Sequence, residues 1–389
     1  MRKSALLWFG LVVTVLVALG LIVLSSASGA NGLRLHHDAY FFIKRQFAYL
    51  GVGIVVAVCM ALFDYRQWRD HPFLVWAFFF VVFCLLLGVF GFRAINGSHR
   101  WISLGPIRIQ PSEFAKLVTV ILLAVCLDRI GWKVELFRWG ALFPAVLIGI
   151  IAAPILKEPD FGSVMVVGLV GFLMMLVSGT RLLHMLPFLV AGFGVVALKV
   201  MTNANRMARI AAFFGVKIEI GAQVVDEAAK RAAYQADQAL VAIGNGGIWG
   251  AGLGQSMQKH LYLPEAHTDF VFAVGAEELG LIFSVSVVLL FVAFFAFCVY
   301  FARKAGDRFG RFLVIGMGFI IFFQAMFNIG VVCEALPTKG MALPFFSYGG
   351  TNLLSAFFAV GTIFSVAIHS TRDKRQRILQ KVRAKGWNG

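Results

Sequence analysis

Residues 270–301 read FVFAVGAEELGLIFSVSVVLLFVAFFAFCVYF. Apart from Glu277 and Glu278 the run carries no charge. It exceeds the ~20 residues that cross a bilayer's hydrocarbon, so it tilts or projects beyond it. Nine further stretches read the same way: 5–25, 47–63, 73–92, 112–127, 140–156, 161–178, 182–201, 312–332 and 351–369. Composition agrees, with 60% of the 389 residues hydrophobic and 14% charged, against about 45–50% and about 25% in soluble domains. The expected fold is therefore an all-α polytopic membrane protein of about ten transmembrane helices. Soluble, disordered, coiled-coil and disulfide-stapled classes are excluded. The weakest span, 112–127, is short and opens on Glu113 and Lys116. The apolar run behind Arg2-Lys3 imitates a signal peptide and is read as a retained first span.

The net charge of +16 fixes topology and meets anionic lipid, and does not point to nucleic acid. Basic residues in short connecting segments favour both termini in the cytoplasm, with Arg34, Lys44 and Arg45 dissenting. That places a long extracytoplasmic loop, 202–269, between helices 7 and 8. Residues 1–370 form one transmembrane domain. The tail 371–389, with seven Lys/Arg against one Asp, attaches to the inner lipid surface. The five cysteines show no ligand spacing and read as small buried hydrophobes.

Polar residues gather in three outer segments. In 93–113, Pro111 and Ser112 mark a helix start, and Glu113 and Lys116 share a face at i,i+3. They form an ion pair at a helix end or line a functional cavity. Within 202–269, residues 223–243 are Ala-rich with mixed charge, suiting an amphipathic helix on the membrane surface. The glycines of 244–254 suit a flexible turn better than a nucleotide cradle. Next comes LPEAHTDF, 263–270. Thr268 or Asp269 serves there as an N-cap, or Asp269 is a general base at the water–lipid boundary. Glu277, eight residues further, needs a polar cavity or a partner. In 336–352 two prolines and Gly349-Gly350 interrupt the apolar pattern, which membrane depth tolerates only where backbone is buried in protein or lines water. Lys339 pairs with Glu334 or meets an anionic ligand. These features alone suit an enzyme acting on a lipid-anchored substrate, and equally a transporter with a mid-membrane site.

The longer strings separate these readings. NGSHRWISLGPIRIQPSEFAK (96–116), EPDFGS (158–163), the stretch 244–280 and LPTKGMALPFFSYGGT (336–351) resemble the SEDS family of bacterial cell-wall glycosyltransferases, FtsW, RodA and SpoVE. PEAHTDF after Gln258-Lys259 is more similar to the division branch, FtsW. The resemblance implies polymerisation of lipid II into β-1,4 glycan, with inversion and release of undecaprenyl diphosphate, on the outer side of the bacterial cytoplasmic (inner) membrane. It also implies a class B penicillin-binding protein and divisome membrane proteins as partners. Asp269 matches the family's essential carboxylate, the expected base for the acceptor GlcNAc 4-hydroxyl. Glu113 and Lys116 match charged residues facing the same cavity, with His267 and Glu277 supporting. Arg100, Arg108 and Lys339 are expected on the diphosphate by charge complementarity, and Ser347 and Tyr348 on the substrate. A divalent cation, Mg or Mn, would assist the diphosphate, although no dedicated metal cage is visible. The alternatives are a lipid II flippase and a non-catalytic scaffold for the transpeptidase. Three departures stand out: His260-Leu261 where an acid is common, the unusual stretch 215–233, and Thr351-Asn352 after SYGG.

Overall fold

Every apolar run of the sequence is helical. The computed structural model describes residues 3–92, 99–105, 107–158, 160–202, 224–259, 263–337 and 340–386, with Met207 and Phe213. In chain order the elements are α1 (Lys3–His36), α2 (Phe41–Leu62), α3 (Gln67–Asp70), α4 (Pro72–Gly88), β1 (Ile102–Leu104), β2 (Ile107–Ile109), α5 (Pro111–Ile130), α6 (Phe143–Lys157), α7 (Phe161–Ser178) and α8 (Leu182–Met201). They continue with α9 (Val224–Gly246), α10 (Val271–Lys304), α11 (Arg308–Val332) and α12 (Gly350–Gly386). The basic tail thus continues the last span as helix. The antiparallel β1–β2 hairpin, pairing Ser103 with Arg108, is an exception to the all-α expectation.

Among the described residues, nine helices are long and apolar enough to cross a membrane. The tenth expected span is α5, which carries Glu113, Lys116, Asp128 and Arg129. Its neighbours explain its weak apolar signal. It packs against α4, α6, α7, α11 and α12, and 15 of its 20 residues are buried. A helix enclosed by other helices need not match the apolarity of lipid. At the other extreme, Met185 is the one fully buried residue of α8.

Polar side chains meet at the two ends of the bundle. At one end Tyr65 Oη donates to Asp307 Oδ1 at 3.0 Å, Arg69 Nη1 reaches Asp307 Oδ2 at 3.4 Å, and Arg129 Nη2 donates to the Arg69 carbonyl at 3.0 Å. These are segments expected inside. The segments expected outside converge at the other end.

Three local expectations are corrected. Neither Thr268 nor Asp269 caps α10; its N-cap position is Phe270, without a side-chain bond. Residues 244–254 are not a loose turn. Gly280 (φ 74°) breaks α10, and the loop's backbone fills the break: Ala251 N and Gly252 N donate to the Glu277 and Glu278 carbonyls at 2.9 and 3.0 Å, and Leu281 N donates to Gly247 O at 2.9 Å. Glycine is required at the crossing, because a Cβ on Gly280 would lie 2.4 Å from Gly250 N. Finally, Cys298 is buried but Cys59, Cys84 and Cys333 are exposed, which costs little where the surroundings are lipid. The expected helix of 223–243 is α9 from Val224 onward; its Ala236, Ala239 and Ala242 are buried, and it packs along α10. Residues 93–98 and the first part of 215–233 lie outside the described residues.

Candidate active site

Asp269 is half-buried at the end of the turns that lead into α10. Three successive carbonyls of this stretch accept hydrogen bonds from elsewhere in the fold. Tyr348 N donates to His267 O at 3.0 Å, Ser347 Oγ to Thr268 O at 2.5 Å, and Asn328 Nδ2 to Asp269 O at 2.8 Å. With the main chain so held, the carboxylate rests against the loop joining α11 to α12. A Cβ built on Gly340 would stand 2.3 Å from Asp269 Oδ2.

Several expected contacts prove to brace this arrangement. Ser347 Oγ also accepts from Leu343 N at 2.7 Å, so its hydroxyl already holds two segments together. The Tyr348 ring stands edge-on to Phe42 with centroids 4.9 Å apart. His267 lies 4.7 Å from the same ring, and its Nδ1 is 3.2 Å from Asn31 Nδ2. Burial holds the His267 pKa below its ordinary value, against the opposing charge of Glu265, which favours the neutral imidazole.

Glu113 and Lys116 form the expected i,i+3 pair, Nζ to Oε1 at 2.8 Å, and both are buried. Lys116 Nζ also donates to Gln324 Oε1 at 2.9 Å, and Ser355 Oγ donates to Glu113 Oε2 at 3.1 Å. Gln324 Nε2 reaches Asn352 Oδ1 and the Ala342 carbonyl, each at 3.2 Å. A buried pair is tolerable only with such secondary partners. Gln324 therefore links the pair to the loop that touches Asp269.

The rim adds cations and a second acidic cluster. Arg108 is exposed on β2, and its carbonyl accepts from Thr351 Oγ1 at 3.2 Å. Arg100 Nε donates to the Glu158 carbonyl at 3.4 Å. Asp160 accepts from Ser112 Oγ at 2.9 Å, Ser163 Oγ at 2.6 Å and Gln110 Nε2 at 3.3 Å. The Glu158 carboxyl is fully buried, and neither oxygen has a hydrogen-bond partner among the described residues. Burial, reinforced by the Asp160 charge, pushes its pKa up to about 8. Lys339 lies outside the described residues. Glu277 is about 12 Å along α10 by helical rise and serves the loop that fills the helix break. It accepts from Ser256 Oγ and from Met257 N at 3.2 Å. Its neighbour Glu278 accepts from Ser26 Oγ at 2.6 Å and Lys259 Nζ at 2.9 Å. Among the described residues no group of three or more His, Cys, Asp or Glu is arranged to hold a metal ion.

Sequence reading missed Gln324, Asn328 and Gly340. The first two left a usable signal: carboxamides at i,i+4 on one face of an apolar span, where polar groups require partners. Gly340 left none, because its role is a tertiary approach. Chemically, the site offers a part-exposed carboxylate on a rigid mount, with arginines on the neighbouring rim.

Residues 6–372 match the FtsW/RodA/SpoVE family model, described as "Cell cycle protein". A Geobacter metallireducens protein described as "Probable peptidoglycan glycosyltransferase FtsW" is 37% identical over 366 residues, covering 94% of each chain. A Coxiella burnetii protein of the same description is 35% identical, over 92% of this chain and 95% of its own. Among solved structures, the Thermus thermophilus rod shape determining protein RodA superposes with a TM-score of 0.67 at 26% identity, covering 93% of this chain and 96% of that one. A chain from a structure titled as a peptidoglycan synthase complex that coordinates polymerization and crosslinking gives 0.68 at 25% identity, over 93% and 97%.

Proposed function

The chain belongs to the FtsW/RodA/SpoVE family of cell cycle proteins, and from that membership we propose that it is a peptidoglycan glycosyltransferase of cell-wall synthesis that polymerises lipid II. Asp269 takes the proton from the acceptor 4-hydroxyl as that oxygen attacks C1 of the donor sugar from the face opposite the leaving group. The C1–O bond to undecaprenyl diphosphate breaks, the configuration inverts, and the leaving oxygen carries away the bonding pair. The leaving group is already good, so one placed base and cationic stabilisation suffice. Arg100 and Arg108, with Lys339 by its sequence position, supply that stabilisation. A divalent cation on the diphosphate would add to it. Glu113 and Lys116 hold the cavity floor to α11 and α12.

The topology follows the same reading. Both termini are cytoplasmic, α5 is a tenth span, residues 1–370 are one domain, and Asp269 faces the extracytoplasmic side of the inner membrane. The basic tail lies on anionic lipid. The FtsW descriptions of the relatives favour septal wall synthesis, and the complex-forming structural relative favours a class B penicillin-binding protein as partner.

The observation that carries the proposal is the Asp269 carboxylate, part-exposed and seated on Gly340 at the end of the bundle where the arginines lie. The test is a gel assay of lipid II polymerisation by the purified protein with its transpeptidase partner. Wild type should yield glycan strands, and Asp269→Ala should yield none while remaining folded. Movement of lipid II across liposomes without polymer, unchanged in Asp269→Ala, would establish the flippase reading instead. Partner binding with no polymer in any setting would leave a scaffold.

A further inference from the structure

Asn328 lies one turn beyond Gln324 on α11 and is buried. Its Nδ2 donates twice, to Asp269 O at 2.8 Å and to Met341 O at 2.6 Å. Two carbonyl acceptors settle which end of the amide is nitrogen, since an oxygen there would face two oxygens. Its Oδ1 is consequently turned away and has no hydrogen-bond partner among the described residues. A buried acceptor left unpaired is a standing cost. The side chain is therefore oriented by what it donates to.

Those two acceptors belong to the two segments that define the carboxylate's seat. One is the main chain of Asp269 itself. The other is Met341, next to Gly340, on which the carboxylate lies. The neighbouring bonds from Ser347 and Tyr348 hold Thr268 and His267, whereas Asn328 alone among the three bridges Asp269 directly to the Gly340-Met341 backbone.

We infer that Asn328 is a positioning residue for glycosyl transfer: its amide sets the separation between Asp269 and the Gly340-Met341 backbone, and so the point from which the carboxylate takes the proton. This rests on the polymerase reading above. Asn328 need not touch substrate. Losing it shifts the base, a fault expressed in turnover more than in substrate binding.

The test uses the full chain with its transpeptidase partner in nanodiscs, with glycan formation followed across lipid II concentrations. Rates are normalised to folded protein by partner capture. Asn328→Asp keeps the shape and, when ionised, removes both donors. Asn328→Ser is small and neutral, keeping one hydroxyl donor. We expect kcat to fall by about 100-fold in the first and about 10-fold in the second, with KM within about two-fold of wild type. A purely structural role would lower the folded fraction while leaving kcat per folded molecule unchanged, and that result overturns the inference. So does a loss carried by KM, or a folded variant of either kind with wild-type turnover. A wild-type protein that forms no glycan overturns the polymerase reading and this inference with it. An active wild type beside an undiminished Asn328→Asp overturns this inference alone.

Discussion

Gly340→Ala isolates the placement of the carboxylate from its chemistry. The added Cβ would stand 2.3 Å from Asp269 Oδ2 and 3.2 Å from its Cγ. An ordinary carbon–oxygen contact is ~3.4 Å, so the carboxylate must retreat by ~1 Å. The side chain that must move is short and part-exposed, and an off-rotamer displacement costs ~0.5–1.5 kcal/mol. The fold should therefore survive. Catalysis should not, because a 1 Å misplacement of a reacting group costs on the order of 100-fold, or ~2.7 kcal/mol in the barrier. The assay is lipid II turnover with the transpeptidase partner, alongside thermal unfolding in the same nanodiscs. The expected outcome is a kcat about 100-fold lower, with the midpoint within ~2 °C of wild type. Wild-type turnover in a folded Gly340→Ala protein would show that the contact does not set the position of the base, and the reasoning from geometry to rate would fail.

Lys259→Met should destabilise the protein by roughly 3–5 kcal/mol, because it strips the buried Glu278 carboxylate of its cation. Lys259 Nζ also loses its bonds to Ser26 Oγ at 2.8 Å and Gly254 O at 2.6 Å. Adding Glu278→Gln should recover a large part of the lost midpoint, and a double variant no better than the single one would refute the pairing. Glu158 yields a pH prediction. Its folded pKa, about 8, lies above the ordinary carboxyl value of 4.5, so between these values the folded state holds the proton more tightly than the unfolded state. Stability associated with this group is complete below pH ~4.5 and is lost as pH rises through about 8. Glu158→Gln should flatten that decline, with its midpoint overtaking wild type on the alkaline side; parallel profiles from pH 5 to 9 would contradict it.

The spans were legible because lipid imposes one rule on every residue that faces it. Where protein replaces lipid the rule lapses, and α5 shows how. Its charges depress its hydropathy, yet it is the most enclosed of the long helices near the site, and its ion pair is satisfied by Gln324 and Ser355 from α11 and α12. The sequence placed Glu113 and Lys116 on one face; it had no means of naming the amide and hydroxyl that complete their shell. Asp269 stood out through the strings around it, although helix physics favoured a cap. The cap reading failed because α10 begins two residues later, at Val271, with the preceding turns held by side chains far along the chain. The glycines of 244–254 were visible, but their task depends on a partner break at Gly280 that local periodicity does not show.

That break bears on the Asp269 carboxylate itself. From Val271 to Glu278 every residue of α10 is buried, whereas beyond Gly280 the helix exposes Leu281, Ile282, Val285 and Leu289. One continuous apolar run therefore serves two environments. The first two turns are enclosed by protein, with the 244–259 loop clamped across their far end and the α11–α12 loop across their near end. The rest meets lipid. A rigid uninterrupted helix would transmit every tilt of the lipid-facing portion to Asp269. With Gly280 outside helical geometry and its neighbours' backbone groups paired to the loop, the short buried segment is tied to the bundle independently of the long exposed one. The acids Glu277 and Glu278 sit on the site side of that joint, where their bonds to Ser256 and Lys259 hold the clamp closed. The carboxylate's mount is thus fixed by protein on both sides, as the role proposed for Asp269 requires.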